Sequence, residues 1–487
     1  MGVTGMEKAE EKVTRLKEFL KAGDEKRVGA QHAAGKSTAW ERVAQLFDAG
    51  SFMEMETLRN DAHVVTGFGT VHGRAVYCFA QDYASCGGAM TRSQAEKIKK
   101  LLNMAQMNGA PVVAMLDSAG VKVTEGTASL PAYAEVFSAM TRLSGVCPML
   151  GCVMGPCRGV AALLTQLCDV TVQVEKNGLV ALHAASVLDT PKGQAKDENA
   201  LFGANEMSAQ GAVALTAASE EEAVGLLHRL LDLLPGCNAE DAPLMENDDL
   251  NRVLTSCDAA DAAGLIAQLA DDGKGLELFA AYGKAARTVL CNIGGRSAGL
   301  VVTDYAVDNG RLDAASCGKV ARFVRLCDCY QLPILTLVNS DGLAVPQVSQ
   351  QAWLMRSAAQ MLYAYAEATA PKVAVLIGNA VGSAYVAMGG KAIADLCYAW
   401  PSAMVSPVTS QVAVAAFEDE RLSKGESREA LEAEYAEKNN AIAAAECGLV
   451  DEVIEPRDTR KMLVAAMEYL FSKRDVNLPK KHGNMPL

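Results

Sequence analysis

The residues best placed to do chemistry in this sequence lie in two glycine turns. One turn contains Gly159 and Val160, and the other contains Gly382, Ser383 and Ala384. Each turn joins an apolar segment to one with helical periodicity, and the first N–H groups of a helix have no intrahelical partner. Two such donors directed at one oxygen form an oxyanion hole, which stabilises developing negative charge. The sequence therefore predicts two oxyanion holes made of backbone N–H groups.

A second loop accompanies each turn. Ala119 and Gly120 follow the apolar segment PVVAMLDS, and Asp341 and Gly342 follow PILTLVNS. Ligands of open α/β sheets bind beyond the carboxyl ends of the strands, where these loops and turns are expected to lie. A single glycine of this kind often only permits a tight turn. Because the whole pattern occurs twice, we interpret both glycine positions as functional.

The two occurrences belong to an internal duplication. Matched residues are 222 positions apart, or 223 after one inserted residue. The pairs include Gly73 with Gly295, Asp82 with Asp304, Lys97 with Lys319, Pro111 with Pro333, Gly155 with Gly378, and Gly159 with Gly382. A constant spacing indicates a repeated domain, so we predict domains at 1–255 and 256–487. Each half reads as strand, helix, strand and then strand, turn, helix, which predicts a parallel sheet and an α/β fold in both.

Composition narrows the class of protein. Half of the 487 residues are hydrophobic, and the net charge of −13 argues against nucleic acid as a partner. The 14 cysteines include no CxxC pair, so we expect reduced thiols and a cytoplasmic location. No apolar run approaches the length of a membrane span.

Other catalytic motifs do not fit. The six histidines suggest neither a triad nor a metal site, and we expect no metal. The segment from Gly29 to Thr38 resembles a phosphate-binding loop, but five residues rather than four separate Gly29 from Gly35. The chemistry is therefore predicted to rest on backbone donors, with the reacting molecules supplying their own base.

The sequence resembles the biotin-dependent acyl-CoA carboxyltransferase family. This family includes propionyl-CoA carboxylase beta subunits and the carboxyltransferase subunits of methylmalonyl-CoA or glutaconyl-CoA decarboxylases. The resemblance covers nearly the whole chain. Its motifs include QHAAGKSTAWERVAQLFDAGSFME, DSAGVKVTEG, GPCRGVAALL, LVNSDG, GNAVGSAYVAMGGK and GLVDEVIEPRDTR. It implies two tandem crotonase-like domains of the ββα superhelix type.

The resemblance also implies a ligand for each half. The front half would bind the acyl-CoA at Ala119, Gly120, Gly159 and Val160, with the last two donating N–H groups to a thioester enolate. The back half would bind biotin. The residues implied there are Gly342, Gly382, Ser383 and Ala384.

The chain departs from the family at these positions. Family members usually carry two glycines where this sequence has Gly159-Val160 and Gly382-Ser383. The N–H donors survive, but the side chains of Val160 and Ser383 need room. The back loop usually ends in Pro-Gly-Phe, whereas this chain has Asp341, Gly342 and Leu343.

The family implies several partners as well. The chain has no Met-Lys-Met biotinylation site, so it would need a separate biotin carboxyl carrier protein, with a biotin carboxylase or a membrane decarboxylase subunit. The apolar residues after Tyr385 favour a decarboxylase type. A homodimer within a hexamer is expected.

Three functions stay open. The first is an active carboxyltransferase acting on a short acyl-CoA of the propionyl-CoA and methylmalonyl-CoA type. The second is a catalytically weakened scaffold subunit. The third is a crotonase-type acyl-CoA enzyme that needs no biotin, for which Glu125 is the nearest candidate carboxylate.

Overall fold

The computed structural model describes residues 5–22, 24–59, 63–188, 197–246 and 248–486. By contacts the chain divides into a first unit, Met1–Asp241, and a second unit, Ala242–Leu487. This division precedes position 255, where the sequence suggested it, because the intervening segment hydrogen-bonds within the second unit. Met245 N–H donates to Gly295 O, and Leu254 N–H donates to Arg457 O.

The first unit contains an eight-stranded sheet in the order β1-β2-β3-β4-β5-β6-β8, with β7 paired to β5. Its strands are β1 Met53–Glu54, β2 Val64–Val71, β3 Arg74–Gln81, β4 Val112–Ser118, β5 Met149–Arg158, β6 Val170–Val174, β7 Leu179–Ala181 and β8 Leu215–Ala217. Its helices are α1 Gly5–Ala22, α2 Glu25–Ala33, α3 Ala39–Leu46, α4 Arg92–Asn108, α5 Leu130–Leu143, α6 Ala162–Leu167, α7 Glu198–Phe202, α8 Ala204–Ala209 and α9 Glu220–Leu233.

The second unit repeats this sheet in the order β9-β10-β11-β12-β13-β14-β16, with β15 paired to β13. Its strands are β9 Leu276–Leu278, β10 Ala286–Ile293, β11 Arg296–Thr303, β12 Ile334–Ser340, β13 Lys372–Val381, β14 Leu396–Ala399, β15 Met404–Ser406 and β16 Glu452–Val453. Its helices are α10 Ala262–Leu269, α11 Ala314–Cys329, α12 Gln351–Glu367, α13 Ser410–Phe417, α14 Asp419–Ser423, α15 Arg428–Lys438, α16 Ala441–Glu446 and α17 Thr459–Leu470.

The matching extends to strand register, which confirms the duplication predicted from sequence. In both units the first three strands are antiparallel, and the later strands pair in parallel. Leu116 and Ser118 flank a shift in register between β4 and β5, and Val338 and Ser340 flank the same shift between β12 and β13. Such an irregularity redirects the chain at the end of a strand, which is where each predicted loop begins.

The local sequence explains the crossover helices. Thr91 caps α4 by accepting from Gln94 N–H, and Asp313 caps α11 at the matched position by accepting from Ser316 N–H. The inward face of α4 carries Ile98, which packs with sheet residues in a buried apolar cluster. In the second unit, Leu265 of α10 and Leu463 of α17 pack with sheet residues in a buried apolar cluster. These packed helices hold the strand ends that carry the two loops and two turns.

Candidate functional site

The loop after β4 is fixed by hydrogen bonds of the Ser118 hydroxyl. Ser118 Oγ donates to Gly88 O at 2.7 Å and accepts from Gly120 N–H at 3.1 Å. Gly120 has φ of +108°, and a side chain there would place Cβ 3.0 Å from Arg158 O. The loop thus lies directly against the end of β5, and this close approach requires glycine.

The loop after β12 is built in the same way. Ser340 Oγ donates to Gly310 O at 2.6 Å and accepts from Gly342 N–H at 3.1 Å. Gly342 has φ of +105°, and its Cβ would lie 3.3 Å from Val381 O, at the end of β13. Both loops predicted from sequence therefore pack against the turns with which they were expected to form sites.

The turn after β5 has free backbone donors. Gly159–Ala161 form a single 3-10 turn before α6, and Ala162 N–H donates to Gly159 O. The N–H groups of Gly159 and Val160 donate to no other residue in the part of the chain that is described. Val160 is 38% exposed, so a ligand can approach this corner. The turn can form an oxyanion hole.

The turn after β13 differs in one donor. Gly382 N–H donates to Ser406 O at 2.9 Å, which removes it from the set of predicted donors. Among described residues, the N–H groups of Ser383 and Ala384 have no partner. A short stretch of π-helix, Tyr385–Gly389, follows in place of the regular helix expected there. Ala384 is fully buried, so Ser383 carries the accessible donor.

A cavity of about 630 Å³ lies at this back turn, and we call it the back cavity. Three of the residues predicted from sequence line it, Gly342, Gly382 and Ser383, whereas Ala384 does not. Asp341 also lines this cavity. The structure thus brings the back loop and the back turn to one concave site.

A second cavity, of about 640 Å³, lies in the first unit, and we call it the front cavity. Its lining includes the basic side chains of Arg27, Lys36 and Lys176, together with Gly87. None of the four predicted front residues lines it. It adjoins their loop, since Ala119 N–H donates to Gly87 O at 2.8 Å. Arg27 and Lys176 suit an anionic ligand.

Sequence reasoning missed a buried group of charges beside the front cavity. Lys36 Nζ lies 2.7 Å from Asp117 Oδ2, and Arg42 joins Asp117 at 2.9 Å to Glu220 at 2.5 Å. Burial lowers the pKa of Lys36, while the neighbouring Asp117 carboxylate acts in the opposite direction. Gly155 leaves the space for Asp117, because a Cβ there would lie 2.0 Å from Asp117 Oδ1. No local motif signals this group of charges.

The second unit replaces that charged group with amides. Asn339, matched to Asp117, donates from Nδ2 to Ala259 O at 2.9 Å and accepts from Asn379 N–H at 2.9 Å. Asn379 Nδ2 in turn donates to Asp341 Oδ1 at 2.8 Å. The two halves therefore share their backbone turns but differ in the side chains behind them.

Side-chain acid–base groups are engaged elsewhere. His72 Nδ1 lies 2.8 Å from Asp232 Oδ1, and His228 Nε2 lies 2.8 Å from Leu46 O. Glu125 accepts from the N–H of Arg92 at 3.2 Å, at the start of α4. Within the described ranges, no group of three His, Cys, Asp or Glu residues could hold a metal ion, and no helix is long and apolar enough to cross a membrane.

Comparison with known proteins gives consistent results. Residues 30–485 match the family described as carboxyl transferase domain. The methylmalonyl-CoA decarboxylase subunit alpha of Veillonella parvula is 36% identical over 99% of this chain and 100% of its own. The propionyl-CoA carboxylase beta chain of Roseobacter denitrificans is 37% identical over 96% of each chain.

A solved structure of transcarboxylase 12S, a hexamer with methylmalonyl-coenzyme A and methylmalonic acid bound, superposes with a TM-score of 0.94. It is 33% identical in sequence, and the match covers 100% of both chains. The expected fold, two tandem crotonase-like α/β domains, is confirmed. The chain belongs to the carboxyl transferase domain family, whose relatives include carboxyltransferase subunits of acyl-CoA carboxylases and decarboxylases.

Proposed function

We propose that this chain is the carboxyltransferase subunit that moves a carboxyl group between biotin on a separate carrier protein and the α-carbon of a short acyl-CoA. The observation that carries the proposal is the pair of matched turns. Among the described residues, the N–H of Val160 is unpaired in the first turn and the N–H of Ser383 is unpaired in the second. A transfer between two bound molecules needs one site for each, and the duplication supplies two. Propionyl-CoA and methylmalonyl-CoA are the proposed substrates, in line with the names of the relatives.

The front half is proposed to bind the acyl-CoA. Arg27 and Lys176 give the front cavity the positive charge that the phosphates of coenzyme A require, whereas the charge of Lys36 is balanced by Asp117. Gly159 and Val160 would donate their N–H groups to the thioester oxygen. This oxygen gains charge when the α-carbon loses a proton or a carboxyl group, so donors fixed in place stabilise the transition state more than the ground state.

The back half is proposed to bind biotin, and the residues present fit its ureido group. The back cavity is concave and of ligand size, and the unpaired N–H of Ser383 supplies a donor for the ureido oxygen. Bound there, biotin would supply a ring nitrogen that carries the carboxyl group. Gly342 lies close to the turn, since a Cβ built on this glycine would lie 3.8 Å from Ser383 Oγ.

The two alternatives have less support. A biotin-independent crotonase-type enzyme would need a carboxylate at the front turn, whereas Glu125 Oε2 accepts from the N–H of Arg92 at the start of α4. A weakened scaffold would follow if Val160 and Ser383 disabled the donors. Their N–H groups nevertheless remain unpaired among the described residues, and Val160 is exposed. Active carboxyl transfer therefore has the better support.

Assembly and location extend the proposal. The loops that follow Gly120 and Gly342 expose large apolar residues at matched positions, Val123 at 83% and Val345 at 87%. Apolar side chains beside both sites suit a contact with another copy of the chain, so we propose a homodimer within a hexamer. The proposed partners are a biotin carboxyl carrier protein and a biotin carboxylase or membrane decarboxylase subunit. None of the 14 cysteines, all of which lie in the described ranges, forms a disulfide, which suits a cytoplasmic location.

Carboxyl transfer to biotin tests the proposal. The purified chain is mixed with methylmalonyl-CoA labelled in its free carboxyl group and with free biotin or a biotinylated carrier. We expect propionyl-CoA to form in step with label on biotin. Absence of transfer with a panel of malonyl-, methylmalonyl- and glutaconyl-type thioesters would refute the proposed function.

A further inference from the structure

The back cavity is lined by a carboxylate that uses only one of its two oxygens in hydrogen bonds to the described residues. Asp341 Oδ1 accepts from Asn379 Nδ2 at 2.8 Å, whereas Asp341 Oδ2 has no hydrogen-bond partner among the described residues. We propose that Asp341 binds biotin by accepting a hydrogen bond from a ureido N–H. This role rests on the proposed function and adds a side chain to a site otherwise made of backbone donors.

The Asp341 side chain is held in place before any ligand arrives. Asn379 is fixed by its own N–H, which donates to Asn339 Oδ1 at 2.9 Å, and Asn339 Nδ2 donates to Ala259 O at 2.9 Å. Asp341 thus lies at one end of a chain of hydrogen bonds that ends on a main-chain carbonyl. A group already held in its binding orientation loses little conformational freedom when the ligand binds.

The pattern of donors and acceptors matches a ureido group. That group has one carbonyl oxygen between two N–H groups, so it needs a donor beside an acceptor. Ser383 N–H is a free donor and Asp341 Oδ2 a free acceptor, and both residues line the back cavity. A hydrogen bond to an ionised carboxylate is stronger than one between neutral groups. Ser383 and Asp341 can therefore bind the carbonyl oxygen and one N–H of the same ureido group.

The front half lacks this carboxylate. Ala119 occupies the position matched to Asp341, and Pro156 occupies the position matched to Asn379. The backbone turns are shared between the halves, but the Asp341–Asn379 pair is present in the second unit alone. This asymmetry distinguishes the ligand of the back cavity from a thioester, which has no N–H at its reacting end.

Equilibrium binding of free biotin tests the inference. We measure the Kd by calorimetry for the wild type, Asp341→Ala and Asp341→Asn, with Glu426→Gln as a control that removes an exposed carboxylate outside the back cavity. We expect the Kd, and the KM for biotin in carboxyl transfer, to rise by about 10- to 100-fold in both Asp341 variants. The Kd of Asp341→Asn for biotin should be no lower than that of Asp341→Ala. Asn379 Nδ2 would donate to the new amide oxygen and leave the amide NH₂ group facing the ligand.

A second substitution and a second ligand separate binding from folding. Asn379→Leu keeps the main-chain N–H bonded to Asn339 but releases Asp341, so it should give a smaller rise in the Kd for biotin. The Kd for the acyl-CoA should be unchanged in every variant. Unchanged biotin binding in both Asp341 variants, or equal losses for biotin and acyl-CoA, would overturn the inference while leaving carboxyl transfer by the wild type intact. A wild type that transfers no carboxyl group to biotin would instead refute the proposed function itself.

Discussion

Lys36 Nζ lies 2.7 Å from Asp117 Oδ2, and both side chains are withdrawn from solvent. These residues are 81 positions apart, and their contact joins the segment between α2 and α3 to the end of β4. Asp117 immediately precedes Ser118, whose hydroxyl fixes the loop containing Gly120. The buried ion pair therefore stabilises the strand end from which the front loop begins.

The first prediction tests that support. Asp117→Asn copies the amide found at Asn339 but leaves Lys36 and Arg42 without their shared carboxylate. Removing one partner from a buried ion pair costs about 3–5 kcal/mol, so the free energy of unfolding should fall by that amount. Urea unfolding measures it. The control Lys424→Gln breaks the exposed pair with Glu420 and should change stability by less than about 1 kcal/mol. Equal effects of the two substitutions would contradict the prediction.

The second prediction concerns pH. Burial lowers the pKa of Lys319 from 10.5 to about 8, and the ammonium group donates to Tyr282 O at 2.7 Å. Because the folded state releases this proton at lower pH than the unfolded state, stability should rise as pH increases from about 8 to 10.5. Lys319→Gln is neutral yet keeps a donor for the carbonyl. The wild type should gain about 2–3 kcal/mol over this variant between pH 8 and pH 10. A difference that stays constant with pH would contradict the shift.

The third prediction concerns backbone donation. Val160→Gly and Ser383→Gly keep the N–H and open space, so carboxyl transfer should be preserved or increased. Val160→Pro and Ser383→Pro remove the donor, and loss of one donor of an oxyanion hole lowers kcat by roughly 100- to 1000-fold. The matched control is Val160→Ala, which keeps the donor and should stay active. A fully active Val160→Pro variant would show that the enolate oxygen is bound elsewhere.

The fourth prediction concerns assembly. Light scattering should find the chain as a dimer or a larger oligomer, and Val123→Glu should shift it towards monomer by placing charge in an apolar contact. Val123→Ala, which shortens the side chain without adding charge, should have a smaller effect. Carboxyl transfer should fall together with the oligomeric fraction. A monomer that is fully active would refute the proposed dimer.

The sequence predicted the parts of the fold that follow from patterns along the chain. The spacing of 222 positions that links Asp82 with Asp304 recurs in the structure as one sheet order repeated in two units. Glycine with an apolar strand before it and helical periodicity after it was enough to locate the turns at Gly159 and Gly382. The first pattern is found by comparing the two halves of the sequence and the second from neighbouring residues, so neither requires knowledge of tertiary contacts.

Tertiary contacts explain what the sequence did not reveal. Gly382 was expected to donate, but pairing of β13 with β15 gives its N–H to Ser406 O. The pairing of Asp341 with Asn379 joins residues 38 positions apart, with no local motif to announce it. The departure from Pro-Gly-Phe at Asp341 was visible as a difference from the family. Only the folded chain places Asn379 beside Asp341.

The central claim is that each half binds one ligand, and it is tested most directly by two partial reactions measured in the same pair of variants. Val160→Phe adds bulk at the front turn, and Ser383→Phe adds it at the back turn. We predict that Val160→Phe loses the biotin-free decarboxylation of methylmalonyl-CoA, which forms the enolate without a base, but keeps release of CO₂ from chemically carboxylated biotin, and that Ser383→Phe shows the converse. Equal loss of both partial reactions in two folded variants would contradict the assignment of one ligand to each half.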